Sequence, residues 1–245
     1  MSMVREDLLN GALKIEQPDE NEGLRVNLDT VLLADFCKPR RNEHILELGC
    51  AHGAISLILA FKGLGVTGLD ISPHLVEMAV RNAAYNGLCD RAKFIVGDLR
   101  NHRKIWDAQS FDRIVVNPPY DAPENSKVSP SDAMAAALQG TECTLEDVAA
   151  AAKYLLKNKG TLEMVIRANR FCELISLLDK YNIAPKAVRP VYAKPGADAF
   201  IVLVRAMRAA GVGVRLLPPL FVKDGDGNDT AELLNAYIPG ENTCR

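Results

Sequence analysis

The stretch His44-Ile45-Leu46-Glu47-Leu48-Gly49-Cys50-Ala51-His52-Gly53, running straight into Ala54-Ile55-Ser56-Leu57-Ile58-Leu59-Ala60, limits the possible folds more than any other. It reads as a buried strand, a turn of small residues and a buried helix. A strand that is apolar on both faces needs cover on both, which helices packed on a parallel sheet provide. Small residues at Gly49, Ala51 and Gly53 let the backbone turn tightly and let a ligand approach it, beside a helix N-terminus whose N–H groups favour negative charge. Further on, Gly65-Val66-Thr67-Gly68-Leu69-Asp70 reads as a second strand ending in a carboxylate. It stands about 20 residues after the turn, the spacing from which an acidic side chain accepts both hydroxyls of a ribose. Turn and carboxylate together argue for a nucleoside-containing cofactor.

The alternation continues. Ser72 caps a helix with Pro73 at its first position, Leu75, Val76, Ala79, Val80 and Ala83 recur at the spacing of a face packed on the sheet, and Gly87 stops it. The strand Ala92-Lys93-Phe94-Ile95-Val96 ends at Gly97-Asp98, where Asp98 either accepts from an adenine amine or caps a loop. Phe111 to Val116 forms the fourth strand, followed by a polar loop over 121–128 that could close over a substrate and a helix start at Ser129-Pro130. Thr144-Leu145-Glu146-Asp147 resembles a capping box opening a helix over 148–156, closed by Gly160. A fifth strand over 161–166, a helix over 171–181 and two strands, 186–192 and 199–204, follow; Lys194-Pro195-Gly196 joins the last two as an antiparallel hairpin. Ahead of this core, Leu13 to Pro18 alternates as a short strand, and Asp29 is placed to cap a helix over 30–36. The tail adds a strand over 214–217 and a helix over 231–237. We read one α/β domain, with 1–41 an N-terminal extension and 212–245 a small C-terminal one.

The fourth strand closes on Asn117-Pro118-Pro119-Tyr120. An Asn amide oxygen and the Pro118 carbonyl can accept both hydrogens of a planar amino group, Tyr120 can stack on the ring that carries it, and the prolines make the turn rigid. The reaction this suits needs no metal. Asp224-Gly225-Asp226-Gly227-Asn228 imitates a calcium loop, but Asp229 stands where glycine is required and Asn235 where the bidentate glutamate belongs, so it reads as a surface turn.

With 48% hydrophobic residues the 245-residue chain can build a sizeable core. No apolar run approaches the roughly 18 residues of a membrane span, and the polar, acidic Met1 to Asp7 is unlike a secretory signal, so a cytoplasmic protein is expected. The six cysteines form no C-x-x-C pair, which points to buried thiols and away from zinc or disulfides. A formal charge of −2 leaves any nucleic-acid surface to a local patch. Arg100, His102, Arg103 and Lys104 make one such run, although a run of this kind is more often a solvated loop.

Glu47 to Gly53, Asp70, Asp98 and Asn117 to Tyr120, in this order and spacing, resemble the class I S-adenosylmethionine-dependent methyltransferases that modify planar amino groups. The resemblance implies a Rossmann-like, doubly wound, mostly parallel seven-stranded sheet with an antiparallel C-terminal hairpin. It also implies S-adenosylmethionine as cofactor, held by Glu47, Gly49, Ala51, Gly53, Asp70 and Asp98, and Asn117, Pro118 and Tyr120 as catalytic residues. Ala51 stands where these enzymes more often have glycine, which should narrow the turn without closing it. Leu28 to Ala34, Ser129-Pro130, Thr144 to Asp147 and Leu216 to Leu220 extend the likeness to the bacterial tRNA1(Val) adenine-N6-methyltransferases, over nearly the whole chain. That implies a tRNA substrate, methylated on the adenine just 3′ of the anticodon. One departure is Gly140-Thr141, where members carry a basic Arg-His pair before the residue matching Glu142. RNA phosphates would be held by Arg167, Arg170 and Lys194 near the strand ends, residues that also fit as ordinary surface charge. A protein-glutamine methyltransferase shares the tetrapeptide, and a dinucleotide-dependent oxidoreductase or a non-catalytic cofactor-binding protein would share the turn and Asp70.

Overall fold

The structure, a computed structural model, describes residues 3–18, 25–118 and 143–238. Strands β3 (Ile45–Leu48), β4 (Val66–Asp70), β5 (Ala92–Val96), β6 (Phe111–Val116), β7 (Leu156–Arg167), β8 (Ile183–Tyr192) and β9 (Ala199–Arg208) form the body of a nine-stranded sheet in the order β5-β4-β3-β6-β7-β9-β8. All run parallel except β9, which is antiparallel to both of its neighbours. The sheet exceeds the expected seven strands because two-residue strands β10 (Arg215–Leu216) and β11 (Leu220–Phe221) both pair with β8. Order and direction are those of a doubly wound sheet whose C-terminal strands form the expected antiparallel hairpin.

Strict alternation along the central strands builds two cores. Ile45, Val115 and Val165 face α1 (Leu28–Phe36) and α2 (Ala54–Phe61), while Leu46, Leu48, Ile114, Val116, Leu162, Met164 and Ile166 face α5 (Leu145–Leu155) and α6 (Phe171–Lys180). This two-sided burial matches the near-continuous apolar strand sequences. The remaining described helices are α3 (Pro73–Tyr85), α4 (His102–Ile105) and α7 (Ala231–Ala236).

Several details depart from the sequence reading. The first strand pair is a hairpin, β1 (Met3–Leu8) with β2 (Leu13–Pro18), separate from the main sheet. The cap of α1 is Asn27, whose Oδ1 accepts from Thr30 N and Thr30 Oγ1, each at 3.0 Å; Asp29 lies inside the first turn and is buried. On α3 the Ser72 cap and Pro73 stand as expected, but Val80 is 47% exposed, and Met78 and Asn82 join the buried face instead. The Thr144 box is formed with Asp147, yet α5 starts at Leu145 and gives way directly to β7 at Leu156. Asp224 accepts from Asp226 N and Asn228 N, both at 2.9 Å, closing the acidic turn on itself, and Lys223 pairs with Asp229 beside it. Among the described cysteines all are free; Cys37 and Cys50 are buried as expected, whereas Cys89 and Cys172 are exposed. No described helix is long and apolar enough to cross a membrane.

Candidate active site

Sheet register brings the sequence-marked residues to one end. Leu48 pairs with Leu69 on one side and Val116 on the other, and Val116 pairs with Met164. One residue past that row lie Gly49, Asp70 and Asn117, at the carboxyl ends of three adjacent strands. In an open α/β sheet ligands bind there.

The turn after β3 is fixed from several sides. Gly49 N and Cys50 N both donate to Leu69 O, at 2.8 and 3.0 Å, Ala51 N donates to Asp70 Oδ2 at 2.8 Å, and Gly53 N closes on Cys50 O at 2.8 Å. Its φ angles are +72° at Gly49, +47° at Ala51 and +88° at Gly53. Ala51 therefore takes up the left-handed conformation that costs an L-residue about 1–2 kcal/mol. Gly53 is required on two counts, since a Cβ there would also lie 2.9 Å from Phe94 Cζ. At Gly68 of β4 a Cβ would lie 2.8 Å from Cys50 Sγ, so its absence lets the turn sit close to the strand. Nothing in the sequence reading singled out Gly68, although a glycine inside a strand marks close approach.

The acidic residues differ in their surroundings. Asp70 is buried; its Oδ1 accepts from Ser72 N at 2.9 Å and its Oδ2 from Ala51 N, and burial raises its pKa against the pull of those bonds. Glu47, also buried, accepts from Ser56 N at 2.8 Å and from Ser56 Oγ, tying β3 to the first turn of α2, and burial pushes its pKa up to about 8. Ser56 is the lone polar residue of an apolar helix, a signal visible in the sequence. Asp98 accepts from Arg100 N at 2.9 Å and forms an ion pair with the Arg100 guanidinium at 2.6 Å, which holds its carboxyl below the usual range. In this structure it caps the turn Leu99–Asn101. His52 is enclosed beside the turn with neither ring nitrogen partnered, and burial lowers its pKa to about 4, so the ring is neutral.

These features suit a nucleoside cofactor with a charged amino-acid end. Gly53 offers the first turn of α2 no side-chain cap, so the N–H groups ahead of Ser56, whose own N–H is held by Glu47, are left for an anion, and Asp70 stands at the next strand end for hydroxyls. Asn117 is half-buried and Pro118 buried. Pro119, Tyr120, Ser129-Pro130 and Gly140-Thr141 lie outside the described residues. Arg167 ends β7, Arg170 pairs with Glu173 at 2.8 Å, and Lys194 is exposed between β8 and β9; since Arg167 pairs with Ile201 and Tyr192 with Ala199, all three lie at the same end of the sheet. The run from Arg100 to Lys104 is partly structural: His102 is buried and Arg103 stacks over Tyr154.

A release factor glutamine methyltransferase of Fusobacterium nucleatum is 28% identical over 204 residues, which cover 77% of this chain and 56% of that protein. A tRNA1(Val) (adenine(37)-N6)-methyltransferase of Porphyromonas gingivalis is 29% identical over 180 residues, 70% of each chain. Across these and other relatives the matched stretch spans from 19% to 70% of the relative's own length. Among solved structures, a predicted O-methyltransferase of Agrobacterium tumefaciens shares the fold with a TM-score of 0.70 at 20% identity, covering 86% of this chain and 97% of that one. The family model described as a methyltransferase domain matches residues 39–182. That span is more than half of the sequence and contains the turn, Asp70, Asp98 and Asn117-Pro118, and the chain belongs to the methyltransferase-domain family.

Proposed function

We propose that this chain is an S-adenosylmethionine-dependent N-methyltransferase acting on the exocyclic N6 of adenine in RNA, with tRNA1(Val) beside the anticodon as its substrate. The observation that carries the reading is the position of Asn117-Pro118 one residue beyond the row Leu48–Val116–Met164, next to the turn at Gly49. S-adenosylmethionine supplies a methyl group on a positively charged sulfur when bound. Asp70 would hold its ribose and the turn from Gly49 to Gly53 its amino-acid end.

What the chain contributes at the acceptor is orientation and electronic activation. An adenine N6 lone pair is delocalised into the ring and attacks poorly. Accepting its two hydrogens at the Asn117 amide oxygen and the Pro118 carbonyl favours a pyramidal nitrogen and frees the lone pair in line with the methyl group. The base must leave its stack, and Tyr120 is the side chain assigned to receive it.

A side-chain amide presents the same planar NH2, and relatives with release factor glutamine as acceptor match this chain as broadly as the tRNA enzymes do. In the RNA reading Arg167, Arg170 and Lys194, at the same end of the sheet as Asn117, would hold phosphates. The test is transfer of labelled methyl from S-adenosylmethionine to purified tRNA and to release factor, followed by nucleoside and peptide mass spectrometry. N6-methyladenine next to the anticodon is expected, and methylglutamine with unlabelled RNA would refute the RNA reading while keeping the N-methyl chemistry.

A further inference from the structure

Asn82 of α3, only 2% exposed, holds three backbone groups at once. Its Oδ1 accepts from Glu16 N at 2.7 Å, and its Nδ2 donates to Glu16 O at 2.8 Å and to His52 O at 3.0 Å. One helical turn on, Asn86 Oδ1 accepts from Lys14 N at 2.9 Å and its Nδ2 donates to Lys14 O at 2.7 Å. Two residues of strand advance about 6.6 Å and four of helix about 6 Å. The outer edge of β2 thus meets the two amides in step, as it would meet another strand.

The partner of the third bond distinguishes the two: Asn86 Nδ2 donates to Asn82 O at 2.7 Å, inside the helix end, whereas Asn82 Nδ2 reaches His52 O in the turn. His52 lies between the left-handed Ala51 and Gly53, and its carbonyl is held from the helix side while Leu69 O and Asp70 Oδ2 hold the turn from the strand side. We propose that Asn82 is a positioning residue through which the N-terminal hairpin and the cofactor turn stabilise each other, an inference that rests on the turn at 49–53 being the cofactor site. Only an amide accepts once and donates twice in this arrangement. A carboxylate would face two carbonyl oxygens. Coupling of this kind is reciprocal, so a ligand that orders the turn must tighten the hairpin's hold on α3.

The test uses the full chain with S-adenosylhomocysteine as probe. In the unmodified protein the ligand should slow amide hydrogen exchange at Glu16 more than at Lys14. Asn82→Ala and Asn82→Asp should weaken binding about tenfold and abolish that protection. Asn86→Ala should speed exchange at Lys14 and leave affinity unchanged. The inference is overturned by wild-type affinity in Asn82→Ala, by equal losses in Asn82→Ala and Asn86→Ala, or by a Glu16 amide indifferent to ligand in the unmodified protein. That last measurement needs no variant to fold. Asp70→Ala separates the two layers: unchanged affinity there removes the turn as cofactor site, whereas weakened affinity there with none in Asn82→Ala defeats the inference alone.

Discussion

Replacing Glu47 by glutamine should abolish a loss of stability that the unmodified protein suffers between pH 6.5 and 8. Glu47 is 3% exposed, and burial raises its pKa from 4.5 to about 8, with the Asp70 charge adding and the two Ser56 hydrogen bonds opposing. Over that interval the unfolded chain has released the Glu47 proton and the fold retains it, so rising pH favours unfolding by about 1.4 kcal/mol per pH unit. His52 acts in the opposite sense lower down. Burial, with the Arg25 charge adding, takes its pKa from 6.5 to about 4, so the unfolded chain binds a proton that the fold refuses, and stability rises with pH until about 6.5. Below pH 6.5 the two slopes offset each other; above it the opposition fades and Glu47 dominates, for a fall of about 1 kcal/mol by pH 8, where the slope flattens at the folded pKa. The buried Cys37 and Cys50 thiols, pushed well above 9.0, leave this window to Glu47. Glutamine keeps an acceptor for Ser56 N and Oγ and has nothing to titrate. Urea unfolding at pH 6.5 and 8, extrapolated to water, reads the difference. Equal slopes in the two proteins, or a flat wild type, would refute the protonated carboxyl argued from burial.

Ala51→Gly should stabilise the protein by about 0.5–1 kcal/mol, the left-handed penalty less the extra freedom of glycine in the unfolded chain, and thermal unfolding measures it. Glu163→Gln should cost about 3–5 kcal/mol in denaturant unfolding, because Glu163 is fully buried and accepts from Arg113 and from Arg205, the latter at 3.0 Å. Asp70→Ala should weaken S-adenosylmethionine binding by roughly 1.5–3 kcal/mol in calorimetry, whereas Asn117→Ala should bind normally and fail single-turnover transfer; transfer at wild-type rate would remove Asn117 from the chemistry. Arg167→Ala, Arg170→Ala and Lys194→Ala should each lower the log–log salt slope of tRNA binding by about one, and an unchanged slope marks that residue as surface charge.

The sheet was legible because its strands carry their own markers: apolar runs ending in Gly49, Asp70, Asp98 and Asn117, the first two followed closely by helical spacing. What escaped the sequence depends on partners far along the chain. Asn27 and Asp29 both suit a cap by type, and the hydrogen bond from Thr30 N to Asn27 Oδ1, with Asn27 extended and Asp29 already helical, decides between them. Periodicity assigned Val80 to the buried face of α3 because it counts apolar residues, and it cannot see that Asn82 is buried by a strand passing over it. Met3 to Leu8 lacks the alternation of a strand and becomes one by pairing with β2. The stretch proposed to meet the acceptor drew attention by its chemistry, through Asn117-Pro118. Around the turn at 49–53, Ser56 and Gly68 carry a signal in the sequence, whereas Asn82 emerges only when the turn it braces is seen in three dimensions.

The pairing of β2 with α3 also sets an order of events during synthesis. Glu16 and Lys14 find their amide partners 66 and 72 residues downstream. At about 5–20 residues per second the ribosome needs on the order of ten seconds to supply them. Through that interval the outer edge of β2 stands open as a template for any other extended chain nearby. Lys14 and Glu16 on that strand, with Arg5, Glu6 and Asp7 on its partner, place charge along the hairpin where an apolar ribbon would invite association. In the folded protein the same charges are paired, Glu16 with Arg81 at 2.7 Å and Glu6 with Arg25, and the asparagines hold the backbone edge of β2.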